Sequence, residues 1–181
     1  VNSAGSSTLL DVLMRVKNLF PSKSYGLVMW SHGTGWIPQT DGPGRSHAVK
    51  SRKPQTFGID VGEGGNMRTD TKSNGLIGDQ MEISDLASAV NQSGIHLDYI
   101  FFDVCMMQNF EVAYELRNVT DYIVASPVLT SVYGAYYYDQ IRRGFFTYPT
   151  NDNNIRTIAD TYYHNVMESD TTKQYYEYQD C

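Results

Sequence analysis

Apolar residues near the start of the chain recur as Leu9, Leu13, Val16 and Phe20, the spacing of one helical face, with Ser6-Ser7-Thr8 just ahead as N-cap candidates. Pro21 ends that helix. The pattern then changes to a short, nearly continuous apolar run, Tyr25-Gly26-Leu27-Val28-Met29-Trp30, which predicts a strand buried on both faces of a parallel sheet. Helical spacing returns from Met81, with Ile83, Leu86, Ala87 and Val90 on one side and Gly94 as the stop. A second buried-strand run, Leu97 to Phe102, leads directly into Asp103-Val104-Cys105. Phe110, Val112, Ala113, Tyr114 and Leu116 predict a helix that is apolar over much of its circumference. Tyr122-Ile123-Val124-Ala125 predicts a third strand, stopped by Ser126-Pro127. A last helix carries Ile155, Ile158, Ala159, Tyr162, Tyr163 and Val166 on its buried side, while the aromatic segment Tyr133 to Tyr138 fits neither period.

Strands alternating with helices imply an α/β fold, a doubly wound and mostly parallel sheet with flanking helices. Between the first strand and Met81 the composition shifts to Gly, Pro, Ser, Thr and charged residues, an excursion over about 33–78 broken by a strand or hairpin near Thr56 to Val61. Excursions of that length in a compact domain are usually functional or disordered.

In such sheets the active crevice lies at the carboxyl ends of the strands. His32, Cys105 and Ser126 all fall at that edge. A thiol with an ordinary pKa of about 8.5 is only slightly ionised at neutral pH and needs a base to become a nucleophile. His32 is the candidate base and Cys105 the candidate nucleophile. Gly33 lets the backbone turn beside His32, so its N–H and that of Cys105 are the candidate oxyanion hole. The N-terminus of the helix after Cys105 is expected to add positive potential at the thiolate.

Composition narrows the partners. The 181 residues, 41% apolar, suffice for one sizeable core, and residues 1–181 read as a single domain. A formal charge of -6 and a pI near 5.1 argue against a nucleic-acid footprint. No run approaches the roughly 18 apolar residues of a membrane span, and Val1 begins neither with an initiator Met nor with a signal peptide. Two cysteines, Cys105 and Cys181, are too few for a disulfide framework. His47, His96 and His164 share no metal-ligand spacing, so no metal or other cofactor is expected. Asp60, Glu63, Asp70 and Asp79 are the residues that would hold Ca²⁺, but they miss the EF-hand spacing and read as a solvated loop.

An apolar strand followed by Ser31-His32-Gly33-Thr34-Gly35-Trp36, then a second strand followed by Asp103-Val104-Cys105-Met106-Met107 and the helix Glu111-Val112-Ala113-Tyr114-Glu115-Leu116, resembles the clostripain family of cysteine peptidases. Met81-Glu82-Ile83 and Ala125-Ser126 extend the likeness over most of the chain. The resemblance implies a caspase- and gingipain-like fold, a His32–Cys105 dyad, cleavage after Arg or Lys, activation by self-cleavage, and export from a bacterial cell. It also implies that the chain is a fragment, since family members are longer at both ends, and a missing C-terminal segment is a possible partner besides protein or peptide substrates.

The two-residue period of a strand places Asp103 on the side of Cys105, where a carboxylate would pair with a basic P1 side chain. On spacing alone, capping of the next helix is as good a role for Asp103. The resemblance favours the pocket, with Ser126 and Tyr133 as further lining. Tyr133 stands where the family offers a second acid, which weakens the basic preference. Arg45, Lys50, Arg52 and Lys53, within a Gly- and Pro-punctuated stretch, are the candidate autocleavage sites. Two other readings use the same fold: a catalytically silent or non-proteolytic binding domain, and a Cys-dependent amide hydrolase of small molecules.

Overall fold

The computed structural model describes residues 2–33, 35, 56–60, 69–70, 75–76, 79–130 and 138–172. Arg45, Lys50, Arg52, Lys53, Glu63, Tyr133 and Cys181 lie outside them. Chain order is α1 (Ser6–Leu19), β1 (Gly26–Trp30), β2 (Thr56–Asp60), β3 (Thr69–Asp70), β4 (Gly75–Leu76), β5 (Asp79–Glu82), α2 (Ile83–Ser93), β6 (Leu97–Asp103), α3 (Phe110–Leu116), β7 (Thr120–Val124), α4 (Tyr138–Phe145) and α5 (Asp152–Thr172).

β1, β6 and β7 form a parallel sheet in the order β1-β6-β7. The alternation along β6 divides its side chains between two apolar layers. Ile100 and Phe102 meet Leu13 of α1, Leu86 and Val90 of α2, and Val112 and Leu116 of α3 on one face. Tyr99 and Phe101 meet Ile158 of α5 and, at the margin, Phe145 of α4 on the other. Both crossovers step the same way across the sheet, so handedness puts α2 and α3 on one face together. The fold is therefore the expected α/β arrangement of a mostly parallel sheet with flanking helices.

Local chemistry explains most boundaries. Gly94 adopts the left-handed C-cap of α2 at φ 63°, and Lys17 Nζ of α1 donates to the carbonyls of Ser93 and Gly94 at that same end. Asn109 caps α3 by accepting from Val112 N–H at 3.0 Å. Other expectations shift. The N-cap of α1 is Gly5 with no side-chain bond, because Ser6 to Thr8 already lie inside the first turn. Met81 and Glu82 belong to β5, which pairs antiparallel with β2 inside the presumed loop excursion.

β1 is less buried than its composition predicts. Only Met29 is fully buried along it, and Trp30 is 61% exposed, because the described residues of α4 and α5 pack on β6 and β7. On α3, Phe110 and Tyr114 face solvent in a stacked pair rather than joining the core.

Candidate active site

The sheet register sets the site. Trp30 of β1 lies opposite Asp103 of β6, and His32 and Cys105 each sit two residues beyond that pair. Neighbouring strands are about 4.8 Å apart, so the imidazole and the sulfur issue from adjoining strand ends.

Two glycines allow the histidine loop to settle against the cysteine turn. A Cβ on Gly33 would stand 2.4 Å from Val104 Cγ1 and 3.2 Å from the Cys105 carbonyl, so no side chain fits there. Gly35, at φ 57°, would place a Cβ 2.2 Å from the Met106 carbonyl. Met106 itself holds a left-handed φ of 59°, an uncommon backbone state for a side chain of its size. Its cost, about 1–3 kcal/mol for a sparsely populated region, is offset locally by Asn109 Nδ2, which donates to the Met106 carbonyl at 2.8 Å. The bend directly after the sulfur is thus held from two sides.

A third segment completes the rim. After β7 the chain folds back along the cysteine turn. Met106 N–H donates to the Val128 carbonyl at 3.1 Å and Gln108 N–H to the Ser126 carbonyl at 3.0 Å. Thr130 N–H then donates to Cys105 Sγ at 3.1 Å, and the Thr130 hydroxyl lies 3.5 Å from the same sulfur. Thr130 was not among the residues that spacing singles out. Its contribution is a backbone N–H delivered by a tertiary contact, a donor that any non-proline residue would supply.

Cys105 is 1% exposed. A nucleophilic thiolate requires Cys105 in its reduced form. In the reduced form the Thr130 N–H stays directed at the sulfur, a charge-assisted bond once the thiolate forms. The helix that follows contributes less than expected. α3 starts at Phe110, five positions on, while dipole effects fade within the first turn.

His32 is partly buried, and desolvation lowers its pKa from the ordinary value of 6.5. Its carbonyl accepts from Gly58 N–H at 2.9 Å, and Gly33 forms an antiparallel bridge with Phe57. β2, the strand expected near Thr56 to Val61, therefore anchors the histidine loop.

Asp103 is 2% exposed and faces α5, where the Tyr162 hydroxyl donates to its Oδ1 at 3.0 Å. It does not cap the next helix, since Asn109 does. Such low exposure suits the floor of a narrow specificity pocket and equally an internal tie. Ser126 is occupied by its own turn, donating from Oγ to the Val128 carbonyl and accepting from Val128 N–H. Among the described residues no group of three His, Cys, Asp or Glu gathers that could hold a metal ion.

The profile of the Clostripain family matches residues 1–179. Among solved structures, a secreted C11 cysteine protease from Bacteroides thetaiotaomicron, in complex with an irreversible peptide inhibitor, is 30% identical with a TM-score of 0.68, over 93% of this chain and 39% of that one. An inactive zymogen C11 protease from Parabacteroides distasonis is 34% identical with a TM-score of 0.60, over 90% of this chain and 37% of that one. The chain thus spans about two fifths of the length of these neighbours. No curated protein matches it.

Proposed function

The chain belongs to the clostripain family of cysteine peptidases, and from that premise we propose that it carries the catalytic half of a cysteine endopeptidase with a His32–Cys105 dyad. The observation that carries this reading is the parallel register of β1 and β6, which puts the two residues at adjoining strand ends over a glycine-only contact.

His32 takes the proton from the reduced Cys105 thiol, and Sγ attacks the scissile carbonyl. The electron pair moves to the carbonyl oxygen, where the N–H groups of Gly33 and Cys105 form the oxyanion hole. The bond carrying the Gly33–Phe57 bridge uses the His32 carbonyl rather than the Gly33 amide, which is consistent with that role. Imidazolium then protonates the leaving amine, and the thioester left on Cys105 is hydrolysed by water with His32 again as base.

The substrate is a protein or peptide. A basic P1 residue is read from Asp103 at the end of β6, with Ser126 and Tyr133 as further lining on the family resemblance alone. Activation by cutting at Arg45, Lys50, Arg52 or Lys53 belongs to the same reading. The description of one neighbour as an inactive zymogen fits it. Neighbours described as secreted support export of the full-length protein, and no helix among the described residues is long and apolar enough to cross a membrane.

The test is a peptide-library profile on the full-length protein. Cleavage after Arg or Lys that is absent in Cys105→Ala supports the reading. Absence of any Cys105-dependent cleavage leaves a binding domain in its place.

A further inference from the structure

Asp103 is held from the opposite side of the sheet to the one that carries the helices α1 to α3. Tyr162 lies on α5, packs its ring edge-to-face on Phe101 at 5.4 Å, and directs its hydroxyl at Asp103 Oδ1. Phe101 and Asp103 occupy the same face of β6, and Cys105 follows two residues later. One aromatic side chain therefore spans from the second apolar layer to the carboxylate beneath the nucleophile.

We propose that Tyr162 is a positioning residue for P1 specificity, acting through Asp103 and resting on the reading of that residue as the acidic pocket floor. A carboxylate rotates about its terminal torsion over a broad range unless its oxygens are tied. A basic side chain is selected best by a carboxylate already turned to receive it, since ordering it during binding would reduce the gain. A carboxylate has about four lone-pair sites, so a hydroxyl on Oδ1 leaves acceptor capacity for an incoming guanidinium or ammonium.

The competing explanation is that Tyr162 only stitches α5 to the sheet. A second stitch of the same chemistry supplies the control, because Tyr122 of β7 donates to Asp152 Oδ1 at the start of α5 at 2.7 Å. In the full-length protein, Tyr162→Phe keeps the ring and removes the hydroxyl. Hydrogen bonds to charged groups correspond to roughly a tenfold effect or more. The expected result is a fall of about tenfold in kcat/KM for Arg and Lys substrates, carried by KM, with little change for neutral P1 substrates. Tyr122→Phe should leave the basic-to-neutral ratio unchanged whatever it does to Tm. Asp103→Asn should lose the ratio altogether. If Asp103→Asn loses the ratio but Tyr162→Phe keeps it, the positioning role of Tyr162 is overturned while the acidic pocket stands. If Asp103→Asn keeps the ratio, the pocket reading falls and the role of Tyr162 falls with it.

Discussion

His32 carries the clearest electrostatic signature in the site. Burial disfavours its charged form and lowers its pKa below 6.5. As pH falls from 6.5 the unfolded chain binds its proton first, so the linked stability is present above that value and lost as pH drops through the folded pKa. The same shift governs activity, because only the neutral ring accepts a proton from the thiol. The acid limb of kcat/KM is therefore expected below pH 6.5, and His32→Ala should lower the rate by about 10²–10⁴ without unfolding the protein. A limb centred above pH 6.5 would show that burial does not set the base. At the opposite end of the sheet Tyr99 shows the opposite response: burial, with the nearby Asp98 charge, pushes its phenol up to about 12. It donates to the Phe145 carbonyl and takes no part in the chemistry.

At the scale of elements, the site depends on two strand ends meeting closely. Gly33→Ala would force a methyl group against Val104, which is fully buried, and overpacking of that kind costs about 1–3 kcal/mol. Activity should fall further than stability, because relief comes most readily by lifting the histidine loop off the cysteine turn. Thermal melting beside kcat/KM measures both, and wild-type turnover in Gly33→Ala would refute the close fit. The parallel strands β1, β6 and β7 and the helices α1, α2, α3 and α5 are legible in the sequence because their apolar periods are regular, whereas the short strands β3, β4 and β5 carry no such period. Two expectations fail, each for its own reason. The apolar composition of Tyr25 to Trp30 signals burial on both faces, yet burial depends on which helices cover which strand, and the described residues of α4 and α5 pack on β6 and β7. α4 is missed although Tyr138, Ile141 and Phe145 lie at helical spacing, because the aromatic run Tyr133 to Tyr138 obscures where the helix begins. Within the site, His32, Gly33 and Cys105 are readable as strand-end residue types. The Thr130 N–H is not, since a backbone donor brought by a long-range turn leaves no mark on residue choice.

At the scale of the whole molecule, the region between β1 and β5 joins the two halves of the site, and four of its six basic residues, Arg45, Lys50, Arg52 and Lys53, lie in the stretch from Gln39 to Gln55. Replacing Arg45, Lys50, Arg52 and Lys53 with Gln in the full-length protein should leave an uncut chain of low activity if cutting there activates it. Gel analysis beside peptidase assay decides this, and full activity in an intact chain would remove the activation reading. The central claim, that a thiolate of Cys105 served by His32 performs the reaction, is tested most directly by covalent labelling with a peptide electrophile after reduction, located by mass spectrometry. The account predicts saturable, single-site modification of Cys105 in the reduced wild type and its near-complete loss in folded His32→Ala. Equal labelling of Cys105 with and without His32, or no labelling of the reduced protein, would contradict it.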